Sequence, residues 1–421
     1  MQVAIIGGGI GGMTLALSLH AAGIGDVAVY ESASAIRELG VGINLLPHAV
    51  REFAELDLLD ALLAVGIPTA EFAYYSNRGQ RIWQEPLGLA AGYRWPQISI
   101  HRGELLGVLH RAVVERLGPG SIHPGHHLAR LGQAQAGRVW VECIDRGSGT
   151  ALGHVEADLI VGCDGIHSAV RRTYYPGEGP PRWNGVTMWR GVTRGDPFLS
   201  GRTMVNAGSS RQRVVVYPIS KAEEERGRTL INWVATMRTA ENGPMPPQSW
   251  TAVVDRARVH QAFARFAFDF LDVPALIESA EAIYEYPMVD RDPLPSWDFG
   301  PVTLLGDAAH PMHPVGGNGA SQAILDARWL ARELATQPTI EAAVTAYDGE
   351  RRSTTAAVVQ SNRRAGPHRC QDLLEERAPD GFTHLADVVS QEELAAIAEE
   401  YKTTAGFDME RLNARPSLSV R

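Results

Sequence analysis

The chain begins MQVAIIGGGIGGMTLALSLHAAG, and few openings restrict a fold as tightly. The segment reads as a buried strand over residues 2–6, a turn holding Gly7, Gly9 and Gly12, and a helix ending near Gly23. Such a G-x-G-x-x-G turn needs its first glycine for the bend. The second lets backbone approach a pyrophosphate, and the third lets helix pack on strand, with the helix N-terminus facing the anion. DVAVYES then supplies a second strand ending in Glu31, about 20 residues beyond the turn, where a carboxylate can accept from both hydroxyls of an adenosine ribose. The spacing predicts a dinucleotide site on a doubly wound α/β unit, with Gly7, Gly9, Ile10, Gly11, Gly12 and Glu31 around it. It does not choose between FAD and NAD.

A second glycine-rich passage from strand to helix follows late in the chain, in LLGDAAHPMHPVGGNGASQAILDA over 304–327. PVTLLGDAAH reads as a buried strand delivering Asp307 at its carboxyl end, and the helix opens at Gly319 or Ala320. A cofactor using both turns runs from an adenosine to something else, and a helix N-terminus suits the negative charge of a reduced flavin. Between the turns lies LIVGCDGIHSAVRR, a strand followed by Asp164, Gly165 and a helix with Ser168 and Arg171.

These three motifs, in this order, resemble the single-component FAD-dependent aromatic monooxygenases, typified by para-hydroxybenzoate and salicylate hydroxylases. The likeness covers nearly the whole chain. It is nearest to the phenazine-carboxylate monooxygenases, through RELGVGINLLPHAV, SIHRGELL, TMWRGVT, YPMVDRDPLP and GNGASQAILDA. The resemblance implies that Gly7, Gly9, Gly12, Glu31 and Arg102 hold the adenosine diphosphate of FAD and that Asp307 holds the ribityl and pyrophosphate region. Gly316, Gly317, Asn318, Gly319 and Ala320 would line the isoalloxazine. Arg37, Asp164 and Arg171 would form the surrounding shell, the last two also serving nicotinamide docking. Ser321 departs from the family, in which many members carry Asn at that place.

Residues 183–240 alternate with aromatic and β-branched side chains and read as antiparallel sheet; 71–86 adds a hairpin around Asn77–Gly79. Such a sheet can roof a flat ring. Met188, Trp189, Arg190, Tyr217 and Trp233 are substrate-side candidates, joined by Pro314, Val315 and Gly316, but the register is open. Tyr217 is the catalytic candidate, because a tyrosine-proline step lies by the substrate in similar hydroxylases. The expected organisation is a Rossmann-like FAD-binding unit (1–70, 97–180, 287–364), an interleaved antiparallel β-sheet substrate unit (71–96, 181–286) and a C-terminal helical segment (365–421) for packing or dimerisation.

Composition excludes several classes. The formal charge is −9, and the 39 basic residues, only two of them lysines, form no run that could track a phosphate backbone. Three cysteines without metal-like spacing suggest neither a disulfide framework nor a zinc site, and fit a reducing cytoplasm. The apolar stretch 3–24 is broken by glycines and reads as neither signal peptide nor membrane span. Asp307, His310 and His313 do not suggest a metal, since Pro311 and Pro314 impose an irregular loop. Cys163 next to Asp164 reads as a buried structural cysteine. No second G-x-G-x-x-G gives NADH or NADPH a domain of its own. The expected activity is hydroxylation of an electron-rich aromatic acid by NAD(P)H and O2, with or without decarboxylation. A flavin oxidase or dehydrogenase, or an aromatic-binding flavoprotein without turnover, are the alternatives.

Overall fold

The computed structural model describes residues 1–35, 40–240 and 254–420. Its first sheet has five parallel strands, in spatial order Val302–Leu304, Leu159–Gly162, Gln2–Ile6, Asp26–Glu31 and Ile122–Pro124. Strands covered on both faces must be apolar throughout: Val3, Ile5, Leu159, Ile160, Val161, Val302 and Leu304 have no accessible surface. The helices Ile10–Ala21 and Gly319–Thr336 pack against each other beside this sheet. The two glycine-rich turns therefore emerge side by side at the same, carboxyl edge of the sheet, although some 300 residues separate them in sequence.

The second sheet has seven strands, ordered Ile283–Asp290, Arg182–Gly195, Thr229–Arg238, Gln212–Pro218, Thr203–Gly208, Glu71–Tyr75 and Arg81–Pro86. The hairpin over 71–86 forms, with Gly79 at φ +78° in its turn. Thr203–Gly208 meets Glu71–Tyr75 in parallel, so the sheet is mixed at that junction instead of antiparallel throughout. No tight turn joins those two strands, and only hairpin connections force an antiparallel neighbour.

Register decides which side chains face which way. On one face Trp189, Trp233, Val214, Val216, Val205 and Ala235 pack under Phe263, Phe266 and the helices Arg256–Ala262 and Val273–Glu278. The other face, carrying Met188, Arg190, Arg213, Val215, Tyr217, Val234 and Thr236, looks into a cavity. The C-terminal helices Arg369–Arg377, Gln391–Ala405 and Met409–Ala414 pack against Tyr74, Tyr93, Val358 and Leu46 and close that cavity from the side. Among the described residues no helix is long and apolar enough to cross a membrane.

Candidate active site

A single cavity of about 1150 Å³ runs from the first glycine turn to the face of the seven-stranded sheet. At one end Gly7, Gly9, Ile10, Gly11 and Glu31 line it. Gly7 has φ +111°, and a Cβ there would lie 2.3 Å from the Cys163 carbonyl oxygen; a Cβ on Gly12 would lie 2.0 Å from the Gly7 oxygen. Both positions need glycine for backbone packing, and Gly12 itself does not reach the cavity. Gly9 differs: its backbone is extended (φ −76°, ψ −171°), and a Cβ would meet nothing within 4 Å. Gly9 thus has space above it on the cavity side. The helix it opens has no side-chain cap and no acidic residue in its first turn, which leaves an electropositive N-terminus facing the cavity. Glu31 accepts from the Gly8 amide at 2.7 Å and from the Ala33 amide at 2.7 Å, which fixes its carboxylate against the turn with acceptor capacity left over.

Asp307 sits in the short turn Gly306–Ala308 after Val302–Leu304, with its side chain open to the cavity. Enclosure by the surrounding protein raises its pKa, against the pull of His310 and Arg102. Arg102 opens the helix Arg102–Leu117 and lines the same stretch. Asp164 caps the helix Ala169–Tyr174 by accepting from the Ala169 amide at 2.6 Å, while its Oδ1 is buried with no partner and the residue lines the cavity. Burial raises its pKa. Burial and the charge of Asp164 push the neighbouring Cys163 thiol well up, so it is no nucleophilic thiolate.

The second glycine turn supplies Pro314, Val315, Gly316, Gly317, Gly319 and Ala320 to the lining. Asn318 instead is fully buried, accepting from Gln322 and donating to the Tyr401 hydroxyl. Ser321 is likewise buried and accepts from the Leu46 amide at 3.2 Å, so the departure from Asn at that place does not face the cavity. His313 lines the cavity near Asp290, whereas His310 is turned away and held by Asp326 at 2.5 Å. Asp326 in turn accepts from Arg351 at 2.8 Å and from the Gly306 amide at 3.1 Å, anchoring the turn that carries Asp307.

On the sheet side, Arg190 donates to the Gly42 carbonyl at 2.7 Å, and its positive charge acts on the Tyr217 phenol. Burial raises the Tyr217 pKa, with Arg190 opposing the shift, and burial lowers that of Arg190. Met188, Arg190 and Tyr217 all line the cavity.

Five expected site residues are corrected by this geometry, Gly12 and Asn318 as described above together with Trp189, Trp233 and Arg171, and a sixth has no geometry to meet. Trp189 and Trp233 lie on the opposite face of the sheet, donating to Glu285 at 2.7 Å and Thr193 at 3.2 Å, because alternation puts 189 out when 188 and 190 point in. Arg171 is 1% exposed and spends its donors on the Ala308 and Ala309 carbonyls, Glu178 and the Asp292 carbonyl. It fastens the Asp307 turn to its neighbours and does not reach the cavity. Arg37 lies outside the described residues. Sequence reasoning missed Arg213, Tyr401 and His368, all of which line the cavity. Arg213 was within reach, since it shares a strand face with Tyr217; the other two arrive only through tertiary packing.

A cavity shared by two glycine turns at one sheet edge and roofed by a second sheet suits an extended dinucleotide cofactor beside a flat substrate. The chain belongs to the FAD-binding-domain family, whose model matches residues 1–362, and is an FAD-dependent aromatic monooxygenase. It is 46% identical over 363 residues to a phenazine 1,6-dicarboxylic acid hydroxylase of Lysobacter antibioticus, covering 86% of this chain and 89% of that one. It is 34% identical to a 3-amino-4-hydroxybenzoate 2-monooxygenase of Streptomyces platensis, covering 79% of each. A salicylate hydroxylase solved with its substrate shares the fold, with a TM-score of 0.73, 24% identity and 99% of both chains covered.

Proposed function

We propose that the chain hydroxylates a carboxylated, electron-rich aromatic ring, of the phenazine-carboxylate or aminohydroxybenzoate kind, using NADH or NADPH and O2. The observation that carries this reading is the cavity itself: it joins an anion-binding turn to a sheet face on which Arg190 and Tyr217 are among the polar groups and stand beside Met188, Val215 and Val234. The names of the two relatives support the substrate class.

The residues present fit FAD. Gly9 leaves space where a diphosphate would approach the bare helix N-terminus, Glu31 has acceptor capacity for ribose hydroxyls, and the unpartnered Asp164 Oδ1 and open Asp307 await donors. FAD held there would supply the redox chemistry, as hydride acceptor and O2 activator. The protein's own work is orientation and exclusion of water. The Tyr217 phenol, protonated at neutral pH, can donate to a ring hydroxyl or accept from it. Arg190 puts positive charge beside that phenol and the ring. The C-terminal helices shut the cavity from the side. Residence in the cytoplasm belongs to the same proposal, supported by the free state of Cys143, Cys163 and Cys370. So does pairing into a homodimer.

The test is a panel of phenazine carboxylates, hydroxybenzoates and aminohydroxybenzoates, scored by stimulated NADH and NADPH oxidation and by label from 18-O2 in the product. Unlabelled product would replace this reading by an oxidase or dehydrogenase.

A further inference from the structure

Beyond Tyr217 the same strand carries a second polar group into the cavity. Arg213 lies four residues away on the same face of Gln212–Pro218, hence ~13 Å from Tyr217 at the rise of a β-strand. Between them stand Val215 on the same strand, Val234 on the neighbouring one and Asn206 opposite Val215 on the other side.

Arg213 is 9% exposed, and its charge is poorly balanced. One amino group contacts His368 Nδ1 at 2.9 Å, the other reaches Asp372 only at 3.5 Å, and its Nε has no partner. Burial and the adjacent guanidinium hold the His368 pKa well below its ordinary value, so the ring stays neutral and accepts from Arg213. Asp372 already accepts from the Ser210 amide at 2.7 Å. A buried guanidinium with one long ion pair, set in the wall of the cavity, is costly unless an anion completes it.

We infer that Arg213, positioned by His368 and Asp372 of the C-terminal segment, binds a substrate carboxylate, and that the substrate is a planar acid long enough to reach from Arg213 to Tyr217. A three-ring fused acid spans more of that distance than a single benzoate ring does. The inference rests on the proposed function and narrows it: the site selects fused-ring acids, and the C-terminal segment helps to set the choice.

The experiment measures equilibrium binding of phenazine-1-carboxylate, phenazine-1-carboxamide and salicylate to the FAD-loaded protein by the change in flavin absorbance, for wild type, Arg213→Lys and Arg213→Met. Flavin content and melting temperature of each variant establish that it is folded. The expected result is that wild type prefers the tricyclic acid over its amide and over salicylate. Arg213→Met should weaken the acid at least tenfold while changing the amide less than threefold, and Arg213→Lys should fall between. Equal losses for acid and amide, no loss for the acid, a wild-type preference for salicylate, or no binding of the acid to wild type would each overturn the inference. Arg213-dependent binding without label from 18-O2 in any product would sink the proposed function and leave the subsite standing.

Discussion

Gly9 and Gly12 belong to one motif, yet the structure separates what they do, and a pair of substitutions exposes the difference. In Gly9→Val the new side chain enters open space from an extended backbone, so the fold loses little: about 1 kcal/mol for a poorer helix N-cap. The same side chain fills the approach to the helix N-terminus. Displacing a phosphate from two backbone donors removes two charge-assisted bonds of ~1.5–3 kcal/mol each, or ~3–6 kcal/mol in all. At ~1.4 kcal/mol per decade the FAD dissociation constant rises by roughly 10²–10⁴-fold. In Gly12→Val the Cβ would stand 2.0 Å from the Gly7 carbonyl oxygen, a contact that only backbone movement relieves, so the fold itself should fail. The assays are FAD titration of apoprotein by flavin fluorescence and thermal melting by circular dichroism. A Gly9→Val protein that binds FAD within threefold of wild type would refute the placement of the diphosphate. A Gly12→Val protein that melts like wild type would refute the packing argument.

Tyr217→Phe should keep FAD and NAD(P)H oxidation but divert turnover to hydrogen peroxide, because a ring held less firmly misses the oxygen transfer; product formed per NAD(P)H consumed measures it, and wild-type coupling would return Tyr217 to a packing role. Asp307→Asn should weaken FAD binding yet stabilise the apoprotein at neutral pH. An acid whose folded pKa is raised costs no stability below its unfolded value of 3.8 and its full cost above the folded one, and the amide removes that cost. Melting curves of both apoproteins at pH 4 and pH 7 check the sign: the difference should grow with pH. His48, buried and stacked on Phe407 at 5.3 Å, has its pKa lowered to about 3 by burial and by Arg415 and Arg351. Its folded pKa lies below the unfolded 6.5, so stability should fall with pH between about 6.5 and 3, by up to ~1.4 kcal/mol per pH unit. His48→Met should flatten that slope in urea titrations, and an unchanged slope would reject the assignment.

Sequence alone carried the parts of this protein that depend on local backbone demands. A turn in which one glycine must take φ +111° and another must lie against a carbonyl oxygen leaves its mark on the residues themselves, as does a strand that must be apolar on both sides. The first sheet, both glycine turns, Glu31 and Asp307 were legible for that reason. The sheet roof was legible as a sheet but not in register, and one residue of register decided that Met188 and Arg190 face the cavity while Trp189 joins the core. Arg171 shows the same limit from another side: its motif position pointed at a ligand, but its donors are consumed by the carbonyls of Ala308 and Ala309, more than 130 residues away. His368 and Tyr401 carried no local signal at all. A segment that looked like helical packing becomes a cavity wall because its helices fold back onto the sheet edge, and long-range packing of that kind is set by the complementarity of surfaces distant in sequence, which only the tertiary structure brings together.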